Sequence, residues 1–101
     1  MLVNVVYLWI VKTNGMPIIC TFYGIIIRMY FEDHNPPHFH VEYQGYDAEY
    51  NINTLDILVG WIPKRAHAMV LEWASMHKKE LMSNWEKARI PSEIENIEPL
   101  E

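Results

Sequence analysis

Among 101 residues there is a single cysteine, Cys20, and only four glycines. One thiol excludes an internal disulfide framework and suits a reducing compartment, so a cytoplasmic location is expected. There is no cysteine pair, His-Glu-x-x-His, nucleophile elbow, Walker loop or dinucleotide glycine pattern. Their absence removes the zinc-ribbon, zincin, α/β-hydrolase and nucleotide-binding classes from consideration. No apolar run approaches the roughly 20 residues of a spanning helix. The nearest, Leu2–Val11, lacks a basic leader and is broken by Asn4, so neither a membrane span nor a secretory signal is expected. Basic residues are scarce as well: eight Lys and Arg against thirteen Asp and Glu leave a net charge of −5.

That charge is uneven. Residues 1–60 hold two bases and six acids, residues 61–89 six bases and three acids, and residues 90–101 four acids and no base. The basic segment reads either as a solvated helix face or as a patch for a polyanion. Half of the residues are hydrophobic, with four Trp and six Tyr, which is the composition of one folded domain.

What the chain does have is concentrated in Asp33-His34-Asn35-Pro36-Pro37-His38-Phe39-His40, which holds three of the five histidines and two of the six prolines. Consecutive prolines fix φ and remove two backbone donors, so this stretch is neither helix nor central strand. Asn35 is driven to an extended conformation by the proline after it. Imidazole titrates near neutral pH and is the commonest metal ligand. Rigidity and titratable groups therefore coincide here.

In chain order, residues 1–15 read as an N-terminal extension: an extra strand, or residues upstream of the true start. Residues 16–101 read as a single domain. Asn14-Gly15 is a turn signal, and Met16-Pro17 looks like a second beginning. Ile18–Phe22 and Ile25–Phe31 predict a hairpin across Tyr23-Gly24. Past the prolines, Phe39, Val41 and Tyr43 alternate with His38, His40 and Glu42. With Gln44-Gly45 as a two-residue loop, His40 faces Glu49, His38 faces Asn51, Glu42 faces Asp47, and Phe39 faces Tyr50. Leu55–Val59 predicts a further short strand ending at Gly60. Pro63 suits the start of a helix, and no Gly or Pro interrupts residues 64–90. Ala66, Met69, Val70, Trp73, Leu81, Trp85 and Ala88 recur at three- and four-residue steps, predicting one long amphipathic helix that Pro91 stops. In the acidic tail, Ile94, Ile97 and Leu100 are spaced to dock back on the domain or to grip a partner. The expected fold is α+β: an antiparallel sheet of four to five strands, built of hairpins, packed against one long C-terminal helix.

His38 and His40 project from one strand face with Glu49 across the hairpin, and Asp33 and His34 enter from the preceding loop. These residue types suit a divalent metal, or a general acid and base. A structural reading stands beside both, in which His34 and His38 brace the proline turn and His40 pairs with Glu49. With one carboxylate directly opposite, holding a proton-transfer imidazole is the simpler use, so no metal and no cofactor are expected. On the helix, His77, Glu80 and Asn84 lie beside the Trp73–Leu81–Trp85 seam, where polar groups need partners. Lys64, Arg65, His77 and Asn84 are candidate substrate-binding residues, and Lys78-Lys79 reads first as surface solubility. Cys20, in an apolar strand, reads as buried and inert.

From Ile18 to Leu100 the chain resembles a small bacterial family, a domain of unknown function numbered 4160 in its series. The resemblance is carried by Arg28, DHNPPHFHV at Asp33–Val41, Gly45, Pro63-Lys64-Arg65-Ala66 and LEW at Leu71–Trp73. It continues through His77, Glu80-Leu81, Asn84-Trp85 and IEPL at Ile97–Leu100. Some members are described as the toxin, DhiT, of type II toxin–antitoxin pairs, neutralised by a small partner, DhiA. The resemblance implies a cytoplasmic toxin held by a small antitoxin protein. It supplies no reaction.

The leading expectation is therefore a toxin whose working corner comprises Arg28, Asp33, His34, His38, His40 and Glu49. If it is an enzyme, metal-independent RNA cleavage is the natural guess, with the histidine pair moving the 2′-hydroxyl proton and Arg28 offsetting the developing charge. Net acidity weighs against an RNA target, because phosphate contacts dominate nucleic-acid affinity. The competing class is a non-catalytic protein-binding module that uses the sheet edge or the helix stripe. Expected partners are the antitoxin, RNA and a second copy of the chain, and no membrane.

Overall fold

The computed structural model describes residues 17–89 and 94–101. The expectations for residues 1–15 lie outside them. Five strands form one antiparallel sheet in the order of the chain: β1 (Ile18–Phe22), β2 (Ile25–Arg28), β3 (His38–Tyr43), β4 (Tyr46–Asn51) and β5 (Ile57–Gly60). Two of the turns follow directly from sequence. Tyr23-Gly24 and Gln44-Gly45 all have positive φ, the pair of left-handed residues whose twist matches that of flanking antiparallel strands. The second turn sets the β3–β4 register, and every opposed pair expected from the alternation is present, from Tyr43–Tyr46 to His38–Asn51. β2 is shorter than its apolar run suggested and ends at Arg28, although Met29 beyond it is fully buried.

One sheet face carries Ile25, Ile27, Phe39, Val41, Ala48 and Tyr50, all buried. Trp73 packs on it, its ring 5.5 Å from that of Phe22 and 5.9 Å from that of Phe39. Burial of each large apolar side chain here contributes about 1.5–3 kcal/mol, so this face is the main source of stability. The opposite face carries Ile26, Arg28, His40, Glu42, Asp47 and Glu49.

The single long helix is not what forms. Two helices, α1 (Lys64–Met76) and α2 (Lys78–Lys87), meet at His77, whose φ of −125° and ψ of 21° leave the helical region. Its amide bonds to the carbonyl of Ala74 in a tight closing turn. Its ring Nδ1–H donates to Glu80 Oε1 at 2.6 Å, across the first turn of α2. Lys78 Nζ reaches the carbonyl of Asn53 at 2.9 Å, which ties the restart to the β4–β5 connection. Side-chain and tertiary bonds thus break a run that contains no helix-breaking residue.

The tail docks on the domain. Asn84 donates from Nδ2 to the carbonyl of Glu95 (2.8 Å) and accepts from its amide at Oδ1 (2.9 Å). The Ile97 amide donates to the carbonyl of Ile19, and Trp73 Nε1 donates to that of Glu98. Among the described residues, no helix is long and apolar enough to cross a membrane.

Candidate functional site

The proline-locked loop folds back so that Asp33 meets the two strand histidines seven and five positions later. His40 Nε2 donates to Asp33 Oδ2 at 3.0 Å, and His38 Nε2 lies 2.9 Å from the same oxygen. The His34 amide donates to Asp33 Oδ1 (2.9 Å), with its ring Nδ1 3.1 Å away. Asn35–Pro36 is a cis peptide. The Pro36 carbonyl accepts from His38 Nδ1 at 2.7 Å. Each bond depends on the run Asp33–His40 reversing direction before β3 begins. His38 is only 2 % exposed and packs against Trp85 at 5.2 Å, while the Asp33 side chain is 11 % exposed. The structural reading is thus partly realised, since His38 does brace the turn.

Glu49 is less direct than its position opposite His40 suggested. Its carboxylate stands 3.9 Å from His40 Nδ1 and 3.6 Å from His38 Nε2, beyond hydrogen-bonding distance. Asp33 fills the role that the strand register pointed to for Glu49. Burial pulls the Asp33 carboxyl upward. Hydrogen bonds from His40 and the His34 amide, together with the charge of His38 and His40, outweigh it and hold the group below the ordinary aspartate value.

Arg28 is opposite His40 in the register, but its Nε donates to Glu42 Oε2 at 2.8 Å. Sequence reasoning missed Tyr30, whose ring stacks on that of His40 at 3.7 Å and 16°. Its signal was parity: Tyr30 lies two residues past Arg28, on the continuation of the polar face. The Tyr30 hydroxyl is pushed above its usual pKa by burial and by Glu42, Asp33 and Glu49, and only Arg28 opposes them. The corner therefore sits in a negative field. Beside it runs an open concavity of about 410 Å³ over the polar sheet face, bounded by Tyr30, His40, Glu42, Asp47 and Glu49.

The four candidate substrate-binding residues are not brought together with this corner. Lys64 and Arg65 open α1 and are exposed, whereas the helical neighbour of the corner is Trp85, near the end of α2. His77 sits at the helix break on Glu80, and Asn84 is buried on the tail. Three of the other four bases of the 61–89 segment are occupied: Lys78 on Asn53, Lys87 on Glu95 at 3.4 Å, and Arg89 over Trp85 at 5.1 Å.

No curated protein and no solved structure matches the chain. The model of one family, a domain of unknown function designated DUF4160, matches residues 24–86, which span β2 to α2 and include the whole corner. By that match the chain is a member of the DUF4160 family.

Proposed function

We propose that this chain is the toxin component of a type II toxin–antitoxin pair and that the Asp33–His38–His40 corner is its working part. The observation that carries the reading is the convergence of two imidazoles on one carboxylate beside an open groove. Such convergence is a frequent mark of proton-transfer sites. The resemblance to toxins of this kind supplies the biological frame. With RNA as the target, one imidazole of the corner takes up the proton of a 2′-hydroxyl as its oxygen bonds to the adjacent phosphorus. The 5′-oxygen leaves with a proton from the other, protonated imidazole. Glu42, Asp47 and Glu49 repel a bare polyanion, so an RNA substrate needs a countercharge at the corner. The test is induced expression without the partner: growth arrest that Asp33→Asn abolishes, with the melt intact, is the expected result. Arrest undiminished by Asp33→Asn and His40→Gln rejects the corner, and no arrest rejects the toxin.

A second reading, a non-catalytic protein-binding module, is favoured by β5. All four of its residues are exposed, Val59 to 57 %, with Trp61 at 58 % just beyond. Among the described residues it is the last strand of the sheet, with one edge that no other strand pairs, the kind of edge a strand from another chain can join. The helix stripe carries no such reading, because Trp73, Leu81 and Trp85 are core. In this reading, Val59→Lys abolishes partner binding while corner substitutions leave it unchanged.

A further inference from the structure

We infer that Asp33, His38 and His40 form a binding site for one divalent transition-metal ion of borderline softness, with zinc(II) as the type. The argument starts at His38. Its Nδ1 is 2.7 Å from the Pro36 carbonyl, which can only accept, so Nδ1 carries the hydrogen. In the neutral ring Nε2 is then a bare lone pair. It is almost completely buried and 2.9 Å from Asp33 Oδ2, another acceptor, yet it has no hydrogen-bond partner. An N–H placed on Nε2 does not align with that oxygen, which His40 Nε2 already occupies at 3.0 Å. Buried polar atoms of this kind call for an explanation. A cation on the Nε2 axis, beside the oxygen, provides one.

The spacing fits. Donors held about 2.1 Å from an ion are about 3 Å apart at right angles, as around a five-coordinate ion, and about 3.4 Å apart at the tetrahedral angle. Asp33 Oδ2, 2.9 and 3.0 Å from the two nitrogens, matches the first. The three donor atoms lie within 4.8 Å of one another. Two imidazoles and one carboxylate on one side of an ion, with the remaining positions open, form a recurrent transition-metal arrangement. The outer contact of His38 fits as well. A ligating histidine ordinarily gives its other N–H to a carbonyl or carboxylate. His38 gives its own to Pro36. His40 donates from Nε2 to Asp33, so ligation moves its hydrogen to Nδ1, and Glu49 Oε2, now 3.9 Å away, must approach by about 1 Å to accept it. Glu49 Oε1, 3.6 Å from His38 Nε2, is close enough to become a fourth donor. The nitrogens select against magnesium and calcium, which prefer oxygen. The ion also adds positive charge to a field in which Arg28 opposes Asp33, Glu42 and Glu49. The strand alone offers two imidazoles on one face, and the loop brings Asp33 to them as a third donor.

The inference does not rest on the toxin reading, and its test needs no growth phenotype. Full-length protein is stripped with EDTA, dialysed, and titrated with zinc chloride by calorimetry. It is also titrated with cobalt chloride, monitored by visible absorption. Expected are one zinc per chain, a raised melting temperature, and cobalt bands of a nitrogen-ligated site with fewer than six ligands. Asp33→Asn and His40→Gln each weaken zinc binding by more than about tenfold, since even outer contacts of a ligand command that much. His77→Gln, which removes the separate His77–Glu80 pair, leaves it unchanged. A smaller loss in either corner variant, or equal loss in His77→Gln, overturns the proposal. If a corner variant does not melt cooperatively, the wild-type cobalt spectrum decides. An aquo-ion spectrum there, or no uptake of zinc, overturns the proposal outright.

Discussion

The indole of Trp73, at the centre of the core, donates to the carbonyl of Glu98, so one side chain both fills the sheet–helix interface and holds the tail. Trp73→Ala should cost about 3–5 kcal/mol for the lost packing. Trp73→Phe keeps most of the ring and loses the donor, at about 1–2 kcal/mol. Urea denaturation of both variants checks the order. Equal losses would mean that the bond to Glu98 dominates the packing.

Trp85 is buried to nearly the same degree and backs His38. Trp85→Ala is also expected to cost about 3–5 kcal/mol. An effect below about 1 kcal/mol would place its ring on a yielding surface.

Gly60 and Gly45 both hold φ of +84°, but only one is crowded. A Cβ at Gly60 would lie 2.2 Å from the Asp47 carbonyl oxygen, whereas at Gly45 it meets nothing within 4 Å. Gly45→Ala should therefore cost about 1–2 kcal/mol from the left-handed backbone alone. Gly60→Ala should cost more, because β5 must also move away from β4. Thermal melts of the two variants, compared side by side, test the difference.

Burial pushes the Cys20 thiol up to about 11. At pH 8 the thiolate is scarce and covered, so Ellman's reagent should react slowly with native protein and rapidly in guanidinium. A fast native reaction would show that the β1–tail seam opens readily.

Much of the sheet was legible because its signals are local. Alternation and one left-handed turn fix the β3–β4 pairing, and a slip of one residue would turn Phe39 and Val41 outward. The break at His77 was not legible, because it depends on Glu80 and on Lys78 reaching Asn53, and the second contact exists only in the folded chain. The candidate site divided along the same line. His38 and His40 share a face by strand parity, but the choice of Asp33 over Glu49 depends on how the proline loop closes. Asn84 read as a candidate substrate-binding residue because its partner, the Glu95 backbone, has no sequence signature.

Every strand pairs with its neighbour in the chain. Such an order lets the sheet assemble hairpin by hairpin, with short loops to close at each step and a correspondingly fast search. The backbone bonds from Glu32 to Ala88 and from Ile97 to Ile19 are exceptions, and the second joins β1 to the tail across nearly the whole described length. Its loop is the costliest to close, so the seam between first strand and tail should form last and open first. The Asp33–His40 segment, flanked by β2 and β3, can then take shape while that seam is still open.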